Sequence, residues 1–276
     1  MQENVVSLAN YRYFKWALWL CVAALIAYIW HTPVVTANGG TWLGYTLGSI
    51  GALLILWLLS FGIRKRSYRA NLGDLRYWLS AHIWLGIALV LIATLHAGFQ
   101  FGWNVHTLAY ALTVLVVVSG VWGVVMYLRH PGLMSGLLDG KTLVQRGEEL
   151  SELDSQAEQR LASDDARHQQ QVYAPLLKAA AAEAIAPGFF NRLRANPAHS
   201  ATRKAVDEFE NRSLTGDPLS RELALLMVKR DHMLGRIRRF VRLKTLTEFW
   251  LLIHVPASIA LLASLVAHVV SVFFYW

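Results

Sequence analysis

Cysteine is all but missing from this chain: Cys21 is the single one in 276 residues, and it lies within an apolar run. That excludes a disulfide framework, a metal site of clustered cysteines, and the Cys-x-x-Cys-His motif that attaches haem covalently. Charge is scarce as well. Asp, Glu, Lys and Arg make up 16% of the residues, against about a quarter in globular proteins. The apolar runs at 16–30, 42–63, 77–99, 107–128 and 250–276 hold none of the four. That argues against proton pumping or ion transport, which place ionisable groups at membrane depth. The polar stretch 129–248 contains no G-x-G-x-x-G, no phosphate-binding loop and no cysteine cluster, so it is no evident flavin, nucleotide or iron–sulfur domain.

What is present is hydrophobic, at 55% of the chain. A hydrocarbon core about 30 Å thick needs roughly 20 apolar residues per helix, and four of the five runs meet that length. The run at 16–30 is shorter and follows Arg12 and Lys15, so two readings stand: an uncleaved span, favoured by its three tryptophans, or a signal peptide cleaved near Val35-Thr36-Ala37. The expected fold is an all-α membrane bundle of five helices, four if the first is removed. Residues 1–128 carry the first four spans, 129–248 form a helical cytoplasmic insertion, and 249–276 form the last span.

Topology follows from the basic residues. All 26 Lys and Arg fall in 12–15, 64–76 and 129–244, which lie on one side of the membrane when the spans are counted. The opposite loops, 31–41 and 98–106, carry no charge. The positive-inside rule then places the amino terminus and the insertion in the cytoplasm of a bacterial-type inner membrane, and the carboxyl terminus outside. The net charge of +8 is thereby assigned to membrane topology and not to nucleic acid.

Two of the spans each carry a pair of histidines fourteen residues apart: His82 and His96 in the third, His254 and His268 in the last. Fourteen residues at ~100° each return a side chain to within about 40° of the same face, roughly 21 Å along the axis. Both spans run outward, so His82 is level with His254 and His96 with His268. A lone intramembrane histidine can bond across helices or line a proton path. Four at matched depths suit two bis-histidine haems, non-covalent and therefore b-type, with His82 and His254 on the cytoplasmic-side iron and His96 and His268 on the outer one. On the same faces lie Gly86, Leu89 and Ala93, and Ser258, Leu261 and Leu265. Gly86 and Ala93 leave room for a porphyrin. Pro256 stands two residues after His254, where it either kinks the helix or is harmless near a helix start.

The remaining histidines carry less. His106 opens the fourth span, within reach of an outer haem propionate or an electron acceptor. His31 and His130 sit at span ends, and His168, His199 and His232 lie in the insertion without zinc-site spacing. Composition favours helix over 141–186, with breaks expected at Pro187-Gly188 and Asn196-Pro197 and a helix start at Asp217-Pro218. The basic residues from Arg236 to Lys244 suit anionic lipid headgroups or a docking partner.

The stretch His82-x3-Gly86 through His96-Ala97-Gly98, followed by Ser119-Gly120-x-x-Gly123-x-x-x-Tyr127, resembles the transmembrane part of ferric-reductase-like and related di-haem b-type cytochromes. The resemblance covers residues 72–129 and 249–276, about half of the chain. It implies an electron-carrying core with two haems and two histidines on each of two helices. In ferric reductases and superoxide-forming NADPH oxidases a flavin- and nicotinamide-binding domain follows the last span. No such domain follows Trp276 here, so the chain is not expected to oxidise NAD(P)H by itself. The expected function is transmembrane electron transfer as the cytochrome b subunit of a redox complex. Its partners would be redox proteins at either face and membrane lipid, with quinone a further candidate. The rival reading is a haem-free membrane adaptor or assembly factor whose cytoplasmic helices recruit a partner.

Overall fold

The computed structural model describes residues 5–33, 38–66, 73–162, 167–183, 200–214 and 216–274, with the side chains of 167 and 168 outside that set. The described residues are 88% helical and contain no strand. In chain order the helices are α1 (Leu8–Trp30), α2 (Trp42–Arg66), α3 (Leu75–Ala97), α4 (Val105–Leu138), α5 (Leu143–Ala162), α6 (Arg167–Ala181), α7 (Ala201–Ser213) and α8 (Pro218–Phe274). Five of them, α1, α2, α3, α4 and α8, include stretches long and apolar enough to cross a membrane. The chain is an all-α multi-pass membrane protein. It divides into two compact units, one of residues 1–125 with 250–276 and one of residues 126–249.

In the first unit the shape of each helix follows from local chemistry. Asp74 caps α3, its carboxylate accepting from the Arg76 backbone N–H at 3.0 Å, which satisfies one of the donors that a helix start leaves open. Gly98 ends α3 in the left-handed conformation, φ 57°, where a side chain would be strained. Arg64, Lys65 and Arg66 close α2 and complement the negative end of its dipole. In lipid there is little hydrophobic drive between helices, so association relies on close packing, for which small residues serve best. α3 makes its nearest backbone approaches to α2 and α1. Ala24 of α1, Leu43 and Leu47 of α2, and Ile92 and Leu95 of α3 form one buried cluster, so α1 is a packed member of the bundle. Ile55, Leu89 and Leu261 form a second, flanked by Leu112, Val116 and Leu265. Trp19 and Trp30 point outward, more than 70% exposed, as lipid-facing residues do.

Two helices differ from the sequence expectation. α4 does not stop near residue 128 but continues to Leu138, past Pro131. A proline inside a helix removes one N–H and leaves the carbonyl four residues back without its partner, a loss α4 tolerates. Its last carbonyls are taken up by arginines: Arg236 donates to Leu137 and Gly136 at 2.9 and 2.8 Å, and Arg146 donates to Leu138 at 3.0 and 3.2 Å. α8 is one helix from Pro218 through Pro256 to Phe274, so Pro256 does not stand near a helix start.

In the second unit α5, α6, α7 and the first part of α8 pack around Leu161, Tyr173, Phe209, Leu223 and Met227. Several of its buried polar groups are paired. Arg230, 2% exposed, meets Asp154 at 2.6 Å and Thr202 at 2.5 Å. Tyr173 donates to Asp217 at 2.7 Å, and burial with that carboxylate pushes its hydroxyl up to about 12. The hydrogen bond from Arg236, aided by Arg146, holds the Asp139 carboxyl below its ordinary value. α8 begins at Pro218, as expected. The expected breaks at Pro187-Gly188 and Asn196-Pro197 lie outside the described residues.

Candidate functional site

α3 and α8 meet through matched positions. The imidazoles of His96 and His268 stand 5.9 Å apart between centroids, edge to face at 84°. His82 and His254 occupy the equivalent positions fourteen residues earlier on the same two helices. Midway between, Leu89 and Leu261 are buried together with Ile55. Each leucine is seven residues from both histidines of its helix, so the two helices present His, Leu and His in the same order and run the same way. The result is two histidine layers separated by a hydrocarbon layer.

The His96 layer is built largely from α2. Nδ1 of His96 lies 2.8 Å from the Gly44 carbonyl. A carbonyl only accepts, so Nδ1 carries the proton and Nε2 keeps a lone pair. The ring fits because α2 offers no side chain there: a Cβ on Gly48 would fall 2.7 Å from the ring, and one on Gly39 would fall 3.2 Å away. His268 pairs with His106, Nδ1 to Nδ1 at 2.5 Å, one ring donating and the other accepting. His106, exposed at the start of α4, is therefore a partner of a predicted site residue, a contact that sequence spacing did not reveal.

The His82 layer has different neighbours. Nδ1 of His254 lies 2.9 Å from the Ser119 hydroxyl. That hydroxyl donates its one proton to the Val116 carbonyl at 2.8 Å, so it accepts from His254. Again Nδ1 is the N–H and Nε2 the lone pair. Gly120 makes room for the same ring, a Cβ there meeting Cε1 at 3.3 Å, and Gly123 makes room for Trp250. Trp250 leans on His254 at 5.4 Å, and Phe61 flanks His82 at 4.9 Å. Two buried nitrogens in this layer, Nδ1 of His82 and Nε1 of Trp250, have no hydrogen-bond partner among the described residues.

The other predicted positions are placed as follows. A Cβ on Gly86 would meet nothing within 4 Å, so the face beside it is open, and Ala93 is half-buried. Ser258 turns its hydroxyl back onto the His254 carbonyl at 2.7 Å. Leu265 flanks the hydrocarbon layer. His130 is buried against the Thr247 hydroxyl at 2.9 Å, His31 packs edge-on to Trp42, and His232 is exposed. His199 and the side chain of His168 lie outside the described residues. Among the described residues no group of three or more His, Cys, Asp or Glu is placed to hold a metal ion by itself. The basic stretch is less available than its sequence suggests, because Arg236 is committed to α4 and Asp139 and Arg238 to Glu183. Arg239 and Arg242 remain exposed.

Compared with protein-family models, curated proteins and solved structures, the chain matches none. The functional reading therefore rests on the residues themselves.

Proposed function

We propose that this protein is a cytochrome b subunit that carries electrons across a bacterial-type inner membrane through two bis-histidine b-type haems. The observation that carries the reading is the pair of histidine layers. Metal-bound histidines characteristically donate their other ring N–H to a carbonyl, hydroxyl or similar acceptor, and His96 and His254 do so. Two imidazoles binding one iron axially, each nitrogen about 2 Å from it, have centroids roughly 6 Å apart. His96 and His268 stand 5.9 Å apart. The donor set and spacing fit a haem, and the open face beside Gly86 offers space at the His82 layer.

When bound, each haem supplies a one-electron couple whose potential is set by its axial ligands, burial and nearby charge. The chain's own work is to hold the ligands. Gly44 and Ser119 fix the orientation of His96 and His254. Ile55, Leu89 and Leu261 keep water from the space between the layers. With the basic side cytoplasmic, the His82 layer lies toward the cytoplasm and the His96 layer toward the outside. Electrons enter and leave through a redox partner at either face or a quinone in the membrane, and Arg239 and Arg242 face anionic lipid headgroups.

The test is an absorption spectrum of the purified full chain. A reduced b-type α-band with two haems per chain is expected. A featureless visible spectrum would sink the reading and return the histidines to packing roles in a haem-free membrane adaptor.

A further inference from the structure

We propose that Ser119 is a positioning residue for the haem of the His82 layer, which it tunes through His254; the proposal rests on the di-haem reading above. Ser119, Gly120 and Gly123 lie on one face of α4 and all serve the same neighbour. Ser119 accepts from Nδ1 of His254, Gly120 leaves the room that the imidazole fills, and Gly123 leaves the room for the Trp250 ring leaning on it. The contact is not needed for the serine's own sake. Its hydroxyl proton is already bonded within α4 to Val116 at 2.8 Å, the usual local bond of a helical serine. That back-bond is what turns an oxygen lone pair toward α8, so Ser119 is held as an acceptor and His254 as the Nδ1–H tautomer.

An acceptor on Nδ1–H makes the opposite nitrogen a better electron donor, and a better donor favours ferric over ferrous iron. Ser119 therefore holds the potential of this haem down. The facing ligand is supported differently: among the described residues Nδ1 of His82 is buried without a hydrogen-bond partner. At Nδ1 of His254 the Ser119 hydroxyl is the side-chain acceptor, and so the one that a substitution can remove.

The test is an optical redox titration of the full chain in detergent, with low-temperature EPR of the oxidised haems. His254→Ala identifies which component belongs to this layer. Ser119→Ala should keep both haems, raise the midpoint of that component and change its low-spin EPR signal, leaving the other component where it was. Ser119→Thr, which restores a hydroxyl, should return both readouts toward wild type. Should Ser119→Ala lose the haem outright, retention by Ser119→Thr supports the proposal, and loss by both overturns it in favour of a volume effect. Unmoved midpoints and signals in Ser119→Ala, or equal shifts in both components, overturn it as well. A colourless wild-type protein overturns the haem reading itself, and a coloured one with an indifferent Ser119→Ala overturns only this inference.

Discussion

The two histidine layers are built from the same two helices at the same spacing, yet they are supported differently. In the His96 layer the supports are a backbone carbonyl, two glycines of α2 and its approach, and a third histidine at the exposed start of α4. In the His82 layer they are a hydroxyl, two glycines of α4 and two aromatic rings, with two buried nitrogens unpartnered among the described residues. A backbone carbonyl cannot be removed by substitution, whereas a serine hydroxyl can. In the His82 layer the support a substitution can remove is the Ser119 hydroxyl on His254, and in the His96 layer it is the His106 ring on His268. Steric crowding is tighter at His96, where a Cβ on Gly48 would fall 2.7 Å from the ring, against 3.3 Å for one on Gly120 at His254.

The largest expected effect tests whether the layers are separate at all. On the proposed di-haem reading, His96→Ala should remove one haem and leave the other, and His82→Ala should do the reverse, read as half the α-band with a different midpoint in each. Both haems lost in either variant would mean one shared site. Next comes a pair of glycines. Gly48→Ala puts a Cβ 2.7 Å from the His96 ring and should destabilise the bundle by roughly 1–3 kcal/mol, as overpacking does, in a melt followed by helical signal. Gly86→Ala meets no neighbour, so the same melt should be unchanged or slightly raised, while haem content of the His82 layer falls because the open face is narrowed. Equal melts for the two would erase the steric contrast between the layers.

A smaller effect is expected from His106→Ala. It takes away the partner of His268 and should alter the EPR signal of the His96 layer alone, with both haems retained. A change confined to the His82 layer would contradict the contact across α4 and α8.

The smallest lies outside both layers. Burial pushes the Glu183 carboxyl up, but hydrogen bonds from the Thr202 backbone and hydroxyl and from Arg238 outweigh it and hold the group below its ordinary 4.5. A depressed carboxyl stabilises the fold above its unfolded value and loses that contribution as pH falls through the folded one. Protection of α7 against hydrogen exchange, taken relative to the intrinsic rate at each pH, should therefore fall below about pH 4.3, less so in Glu183→Gln. An acid response of exchange identical in the two proteins would assign the effect to other carboxylates.

Much of this could be read from the chain. The runs without charge determine the spans, because the cost of burying charge in hydrocarbon holds wherever the helices later pack. The fourteen-residue spacing puts each histidine pair on one face of its helix by helix geometry alone. Motif residues were visible too, but not their purpose. Ser119, Gly120 and Gly123 stood out in the sequence only as part of the motif that carries the resemblance, and only the approach of α8 turns them into the setting of His254. His106 could be placed at the mouth of a span, and Arg236 and Arg238 in a basic run. That the first touches His268, and that the other two are spent on α4, Asp139 and Glu183, depends on which helices become neighbours. Sequence by itself determined where the apolar helices run and that each pair of histidines shares one face of its helix, which are local or periodic properties. Tertiary structure decided which Nδ1 has a partner, which glycine is filled by a ring and which arginine is free, because each depends on atoms brought from more than one helix.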